Sequence, residues 1–116
     1  MIYLYMHIIS LRALQEFWKR HDGAKAPMRN WHTLVESTRF QDFTHIKQVF
    51  GSADYVVPYT IFDIGGNNYR LITVIHYNVG KVYIRAVLTH RQYDEWNKHI
   101  EKVRCNDASN FRAIRY

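Results

Sequence analysis

Apolar and polar positions along the chain follow two rhythms, and each predicts a different kind of element. From Leu11 to about His21 the residues Leu11, Leu14, Phe17 and Trp18 fall at helical spacing, and Asp22-Gly23 ends the run. Pro27 suits a first helical turn, after which Trp31, Leu34, Val35 and Thr38 form one stripe of a second helix. A connection of about 4 residues predicts that these two helices form an antiparallel hairpin lying on a sheet. Asp42 is placed to cap a third, short helix with Phe43, Ile46 and Phe50 inward and His45 and Lys47 pointing elsewhere, closed by Gly51-Ser52. Before all of these, Tyr3 to Ile9 is β-branched and aromatic enough for a first strand, with Ser10 placed to cap the helix after it. Met6 is an alternative starting residue.

The second rhythm is the alternation of strands. Between Tyr59 and Thr89 three apolar runs are divided by Gly65-Gly66-Asn67-Asn68 and by Asn78-Val79-Gly80, which predicts an antiparallel meander. A two-residue turn at Val79-Gly80 sets Tyr77 opposite Val82 and places Ile75, Thr73 and Leu71 across from Ile84, Ala86 and Leu88 on one apolar face. The other face then carries Arg70, Val74 and His76 beside Lys81, Tyr83 and Arg85. The same logic at Gly66-Asn67 sets Asp63 opposite Arg70, where a carboxylate can hold the guanidinium. His90 to Lys98, with Tyr93 and Trp96 at i, i+3 spacing, predicts a short helix, and residues 98–116 show no clear period.

These elements predict a single α+β domain over residues 1–116, with a core from about 6 to 97 and a C-terminal extension over 98–116. Its antiparallel sheet carries the N-terminal helical hairpin on one face and a short C-terminal helix. A chain of 116 residues with 47% hydrophobic content builds one core.

Charge changes the picture only in one place. Residues 1–63 balance 7 basic against 6 acidic side chains, whereas Ile64 to Tyr93 holds Arg70, Lys81, Arg85 and Arg91 with no acid, +4 of the +6 carried by the whole chain. Basic character concentrated on a sheet suits a polyanionic partner, nucleic acid above all. A single cysteine, Cys105, excludes an internal disulfide and a CxxC zinc site and fits a cytoplasmic setting. The apolar run from Met1 to Ile9 is too short and polar for a signal segment or membrane span, so no membrane partner is expected.

Gly65-Gly66 lies in no phosphate-binding pattern, and the seven histidines show no paired metal spacing, so the expectation is a site with no metal and no cofactor. Arg70, Arg85, His90 and Tyr93 border the polar sheet face. Arginine neutralises a pentavalent phosphorane by bidentate donation, and His and Tyr move protons to and from ribose and leaving oxygens. Those are the parts of a metal-free RNA-cleaving site. Residue types alone leave open a solvated basic face, or a non-catalytic RNA- or ribosome-binding module with His76 and Tyr83 as stacking groups. Lys47, Lys81 and Arg91 are expected to contact phosphates as point charges.

Six stretches resemble the HigB branch of the RelE-like toxins: MHIIS (6–10), ALQEFWKRH (13–21), APxRxW (26–31), IKQVFGSAD (46–54), FDIGGNNYRL (62–71) and KVYIRAVLTHRQYD (81–94). The resemblance covers about Met6 to Trp96. It implies a small RelE-like fold and cleavage of messenger RNA in the ribosomal A site. It also implies neutralisation by a HigA-type helix-turn-helix antitoxin, with operator DNA met only through the antitoxin complex. By the same resemblance Arg70 of YRL, Arg85 of YIR, and His90 and Tyr93 of THxxYD are the catalytic residues. Asp63 stands where the family usually shows Asn. A DNA-bound co-repressor acting with its antitoxin is the other function such a chain could have.

Overall fold

The computed structural model describes residues 6–108; Tyr3 to Tyr5 of the expected first strand and the end of the basic tail, 109–116, lie outside the described residues. A five-stranded sheet has the order β1-β5-β4-β3-β2, formed by β1 (His7–Ile9), β2 (Asp54–Val56), β3 (Tyr59–Ile64), β4 (Tyr69–His76) and β5 (Lys81–Thr89). Strands β2 to β5 pair antiparallel, and the expected sheet gains one parallel edge where β1 runs beside β5. A parallel neighbour requires a long crossover, which the helices between β1 and β2 supply.

The helices α1 (Leu11–Arg20) and α2 (Lys25–Glu36), joined through one 3-10 turn at Asp22–Ala24, pack on each other and on the inner face of the sheet. Their buried stripes, Leu14 and Phe17 on α1 and Met28, Trp31 and Val35 on α2, meet Phe62, Leu71 and Val82 in one core. Trp18 packs against that core as well. Ser10 sits at the N-cap of α1 with an extended backbone, yet its side chain makes no capping bond. Asp42 does cap α3 (Phe43–Val49), its Oδ1 accepting from the His45 N–H at 2.9 Å.

The β3–β4 register is the expected one: Asp63 faces Arg70, with Gly66 and Asn67 at φ 60 and 77 in the turn and the Asn68 N–H donating to the Gly65 carbonyl at 3.3 Å. Positive φ at both central positions matches the right-handed twist of the flanking strands. The β4–β5 register is not the expected one. His76 pairs with Lys81 across a four-residue turn, Ile75 with Val82 and Thr73 with Ile84, and then Ile72 pairs with Ala86, leaving Arg85 as the extra residue of a β-bulge. Moving the ladder by two residues keeps each side chain on its predicted face as far as Ile84, because the strand period is two. Past the bulge the faces exchange. Val87 joins the inner core, and Ala86 and Leu88, predicted to be inside, lie beside Ile72 and Arg70 on the outer face.

Helix α4 (His90–Ala108), at 19 residues, is longer than the short helix expected and runs through Lys98 without a break. It packs on β4 and β5, so the sheet carries helices on both faces. Ile61 and Ile72, each 1% exposed, are outer-face residues buried beneath this cover. No described helix is long and apolar enough to cross a membrane.

Candidate functional site

The start of α4 is fixed by two local devices. Thr89 and Gln92 form a capping box, the Gln92 N–H donating to Thr89 Oγ1 at 3.2 Å and the Thr89 N–H to Gln92 Oε1 at 3.0 Å. The His90 N–H donates to the Asn68 carbonyl at 3.0 Å, which ties the helix to the β3–β4 turn. From there α4 reaches across the outer face until Trp96 meets Tyr59, ring centroids 5.4 Å apart and nearly perpendicular, with Tyr93 stacked on Trp96 at 5.8 Å.

Arg70 lies under this helix, 8% exposed. Its Nε donates to Asp63 Oδ1 at 2.8 Å, Nη1 to the carbonyls of Asn67 and Tyr69 at 3.0 and 3.3 Å, and Nη2 to Asn67 Oδ1 at 3.4 Å. Four of its five N–H groups are therefore engaged within the chain. The guanidinium carbon also lies 5.0 Å from the centre of the Tyr93 ring, a cation–π contact. Arg70 thus ties β3, the β3–β4 turn and α4 together.

Burial above all, then the Asp54 carboxylate, raises the Tyr93 phenol above its ordinary value near 10; Arg70 opposes this, and Asp63 and Asp94 add to it. Tyr93 is therefore a neutral hydroxyl at physiological pH, able to donate a hydrogen bond or a proton. His90 is exposed, and its Nε2 lies 3.5 Å from Asp94 Oδ2 one helical turn on. Asp54 and Asp94 are absent from the residues singled out in the sequence. The i, i+4 spacing of His90 and Asp94 is the signal that could have found the second.

The other half of the outer face is open. Arg85 is exposed on its bulge, its guanidinium carbon 5.4 Å from the centre of the Tyr83 ring, and His76 meets the same ring edge-on at 5.3 Å. Lys81 sits across from His76, and His7 across from Lys81 on β1. Arg91 is exposed in the first turn of α4. Among the described residues none of Lys81, Arg85 and Arg91 makes an ion pair.

One expected RNA contact is not brought to this group. Lys47 lies on α3, which leads to β2 at the opposite edge of the sheet from β1 and β5, and its Nζ donates to the Ala53 carbonyl at 2.7 Å. Among the described residues no three His, Cys, Asp or Glu side chains are grouped to hold a metal ion.

Comparison with known proteins adds to this geometry. The mRNA interferase toxin HigB of Escherichia coli (strain K12) is 29% identical over 92 residues, covering 77% of this chain and 88% of the relative. The mRNA interferase HigB of Shigella flexneri matches to the same extent. The mRNA interferase HigB of Escherichia coli O6:H1 is 23% identical over 97 residues, 81% of this chain and 94% of the relative. The family model HigB_toxin, described as the RelE-like toxic component of a toxin-antitoxin system, matches residues 24–96, from Ala24 at the end of the 3-10 turn before α2 to Trp96 on α4. That match spans more than half of the chain, and the protein belongs to the HigB family of RelE-like toxins, the toxic half of a pair whose other half is an antitoxin.

Proposed function

We propose that this toxin is an endoribonuclease that cleaves messenger RNA by attack of the ribose 2′-OH on the adjacent phosphate, without a metal. The observation that carries the reading is the exposed Arg85 guanidinium on its β-bulge, with no carboxylate paired to it among the described residues. A donor held where charge develops stabilises the phosphorane more than the ground state. The interferase names of the relatives support the same substrate.

His90 accepts the 2′-OH proton, with Asp94 3.5 Å from its Nε2 one helical turn on. Tyr93, kept protonated, donates to the leaving 5′ oxygen. Arg85 lies five positions before His90, roughly 16 Å along extended strand. Arg70 keeps one Nη2 N–H for the phosphate and otherwise positions Tyr93. His76, Lys81, Tyr83 and Arg91 bind the flanking RNA.

The reaction takes place on the ribosome, in the A site, in the cytoplasm. A HigA-type helix-turn-helix antitoxin neutralises the toxin, and operator DNA is met only through the antitoxin complex. End-group analysis of cleaved transcripts tests the chemistry: 2′,3′-cyclic phosphate and 5′-OH ends are expected, and 5′-phosphate ends would rule it out. A non-catalytic RNA-binding reading draws on the His76, Tyr83 and Arg85 stack. It predicts growth arrest with intact transcripts.

A further inference from the structure

We propose that the groove between α1 and α2, on the side of the hairpin away from the sheet, docks an acidic amphipathic segment of the antitoxin. This goes beyond the nuclease reading and rests only on family membership, which supplies a protein partner. The groove has a volume of about 560 Å³ and is lined by Leu11, Trp18 and Lys19 from α1 and by Lys25, Arg29 and His32 from α2. No Asp or Glu lines it.

Two features define the occupant. Leu11 and Trp18, seven residues apart on α1 and both partly buried, form an apolar floor about 10 Å long. Lys25 and Arg29, one turn apart on α2, are exposed and make no ion pair among the described residues. His32 is answered by Glu36 on its own helix at 3.1 Å, outside the lining. A convex RNA backbone would engage the cations and leave the apolar floor uncovered. An amphipathic segment lays its apolar side chains on Leu11 and Trp18 and aims carboxylates at Lys25 and Arg29. The groove lies across the sheet from Arg85, so its occupant leaves the outer face free.

The experiment uses the full-length toxin, the purified antitoxin encoded with it and the double variant Lys25→Glu/Arg29→Glu. Antitoxin affinity is measured at low and high salt beside mRNA cleavage on ribosomes. Affinity is expected to fall at least about tenfold at low salt, with a shallower salt dependence than the wild type and an unchanged cleavage rate. Unchanged antitoxin affinity would overturn the proposal, as would a loss of cleavage alone, which assigns the groove to RNA. If the double variant does not fold, Lys25→Gln/Arg29→Gln is read in the same way. A wild type that binds the antitoxin but leaves transcripts intact would sink the nuclease reading and leave this one standing.

Discussion

The outer face of the sheet is two surfaces on one ladder. Toward the β3–β4 turn it is roofed by α4: Ile61 and Ile72 are dry, Arg70 is bonded on nearly every side, and its charge is met by Asp63 at 2.8 Å. Toward the β4–β5 turn the roof is absent, and Arg85, Lys81, His76 and Tyr83 stand in solvent or partly so, with no carboxylate paired to either cation among the described residues. The two arginines that the sequence presents as equivalent therefore have different work. An arginine with four of its five donors spent inside the chain chiefly holds the scaffold and has one left for a phosphate, and one whose donors are unspent is free to meet a ligand. The bulge at Arg85 sits where the two surfaces join.

The sharpest way to break this contrast is to truncate one outer-face residue in each half of β4. Ile72→Ala should cost about 2–5 kcal/mol in chemical denaturation, since it empties a site beneath α4. Val74→Ala, two residues on and on the same face, should cost under about 1 kcal/mol. Equal losses would mean that α4 does not divide the face. Next in size is Arg70→Ala, expected to lower stability by about 2 kcal/mol. The figure is below that for a fully buried pair because Asp63 keeps some contact with water. The double variant with Asp63→Ala should be more stable than the sum of the single losses, which a double-mutant cycle reads directly. Thr89→Ala removes the capping box and should cost about 1 kcal/mol, visible as a lower melting temperature.

The smallest effect is alkaline. A phenol whose pKa is raised on folding contributes stability that is fully present below its unfolded value near 10 and is lost as the pH climbs through the folded value. Wild-type stability should therefore fall more steeply than that of Tyr93→Phe as the pH rises above about 10. Parallel curves would place Tyr93 outside the covered half.

The order of helices and strands was legible, except for the short edge strand β2 at Asp54–Val56, because apolar spacing and turn residues speak locally. Gly66-Asn67 disclosed its register, since only such residues readily take positive φ at both turn centres, and the Asp63–Arg70 pairing followed. The β4–β5 register was hidden. The bulge at Arg85 and the four-residue turn are fixed by how two strands and a helix settle together, and no residue near them announces either. The capping box at Thr89 and Gln92 stood in the sequence as a T-x-x-Q pattern, but its consequence, a roof over Arg70, depends on where α4 then runs. The basic face was correct as a composition and incomplete as a surface, because charge patterning does not show which side of a sheet a later helix will cover. Lys47 shows the same limit: its charge is readable, its bond to Ala53 is not.

The account stands most directly on Arg85. Single-turnover cleavage of messenger RNA on programmed ribosomes, at saturating toxin, compares Arg85→Ala with the wild type, and a melting curve is taken on the same preparation. Arg85→Ala should melt as the wild type does and cut on the order of 10²–10³ more slowly, the loss of a donor felt in the transition state. A variant that folds normally and cuts at the wild-type rate would contradict the division between a scaffold arginine and a ligand-facing one.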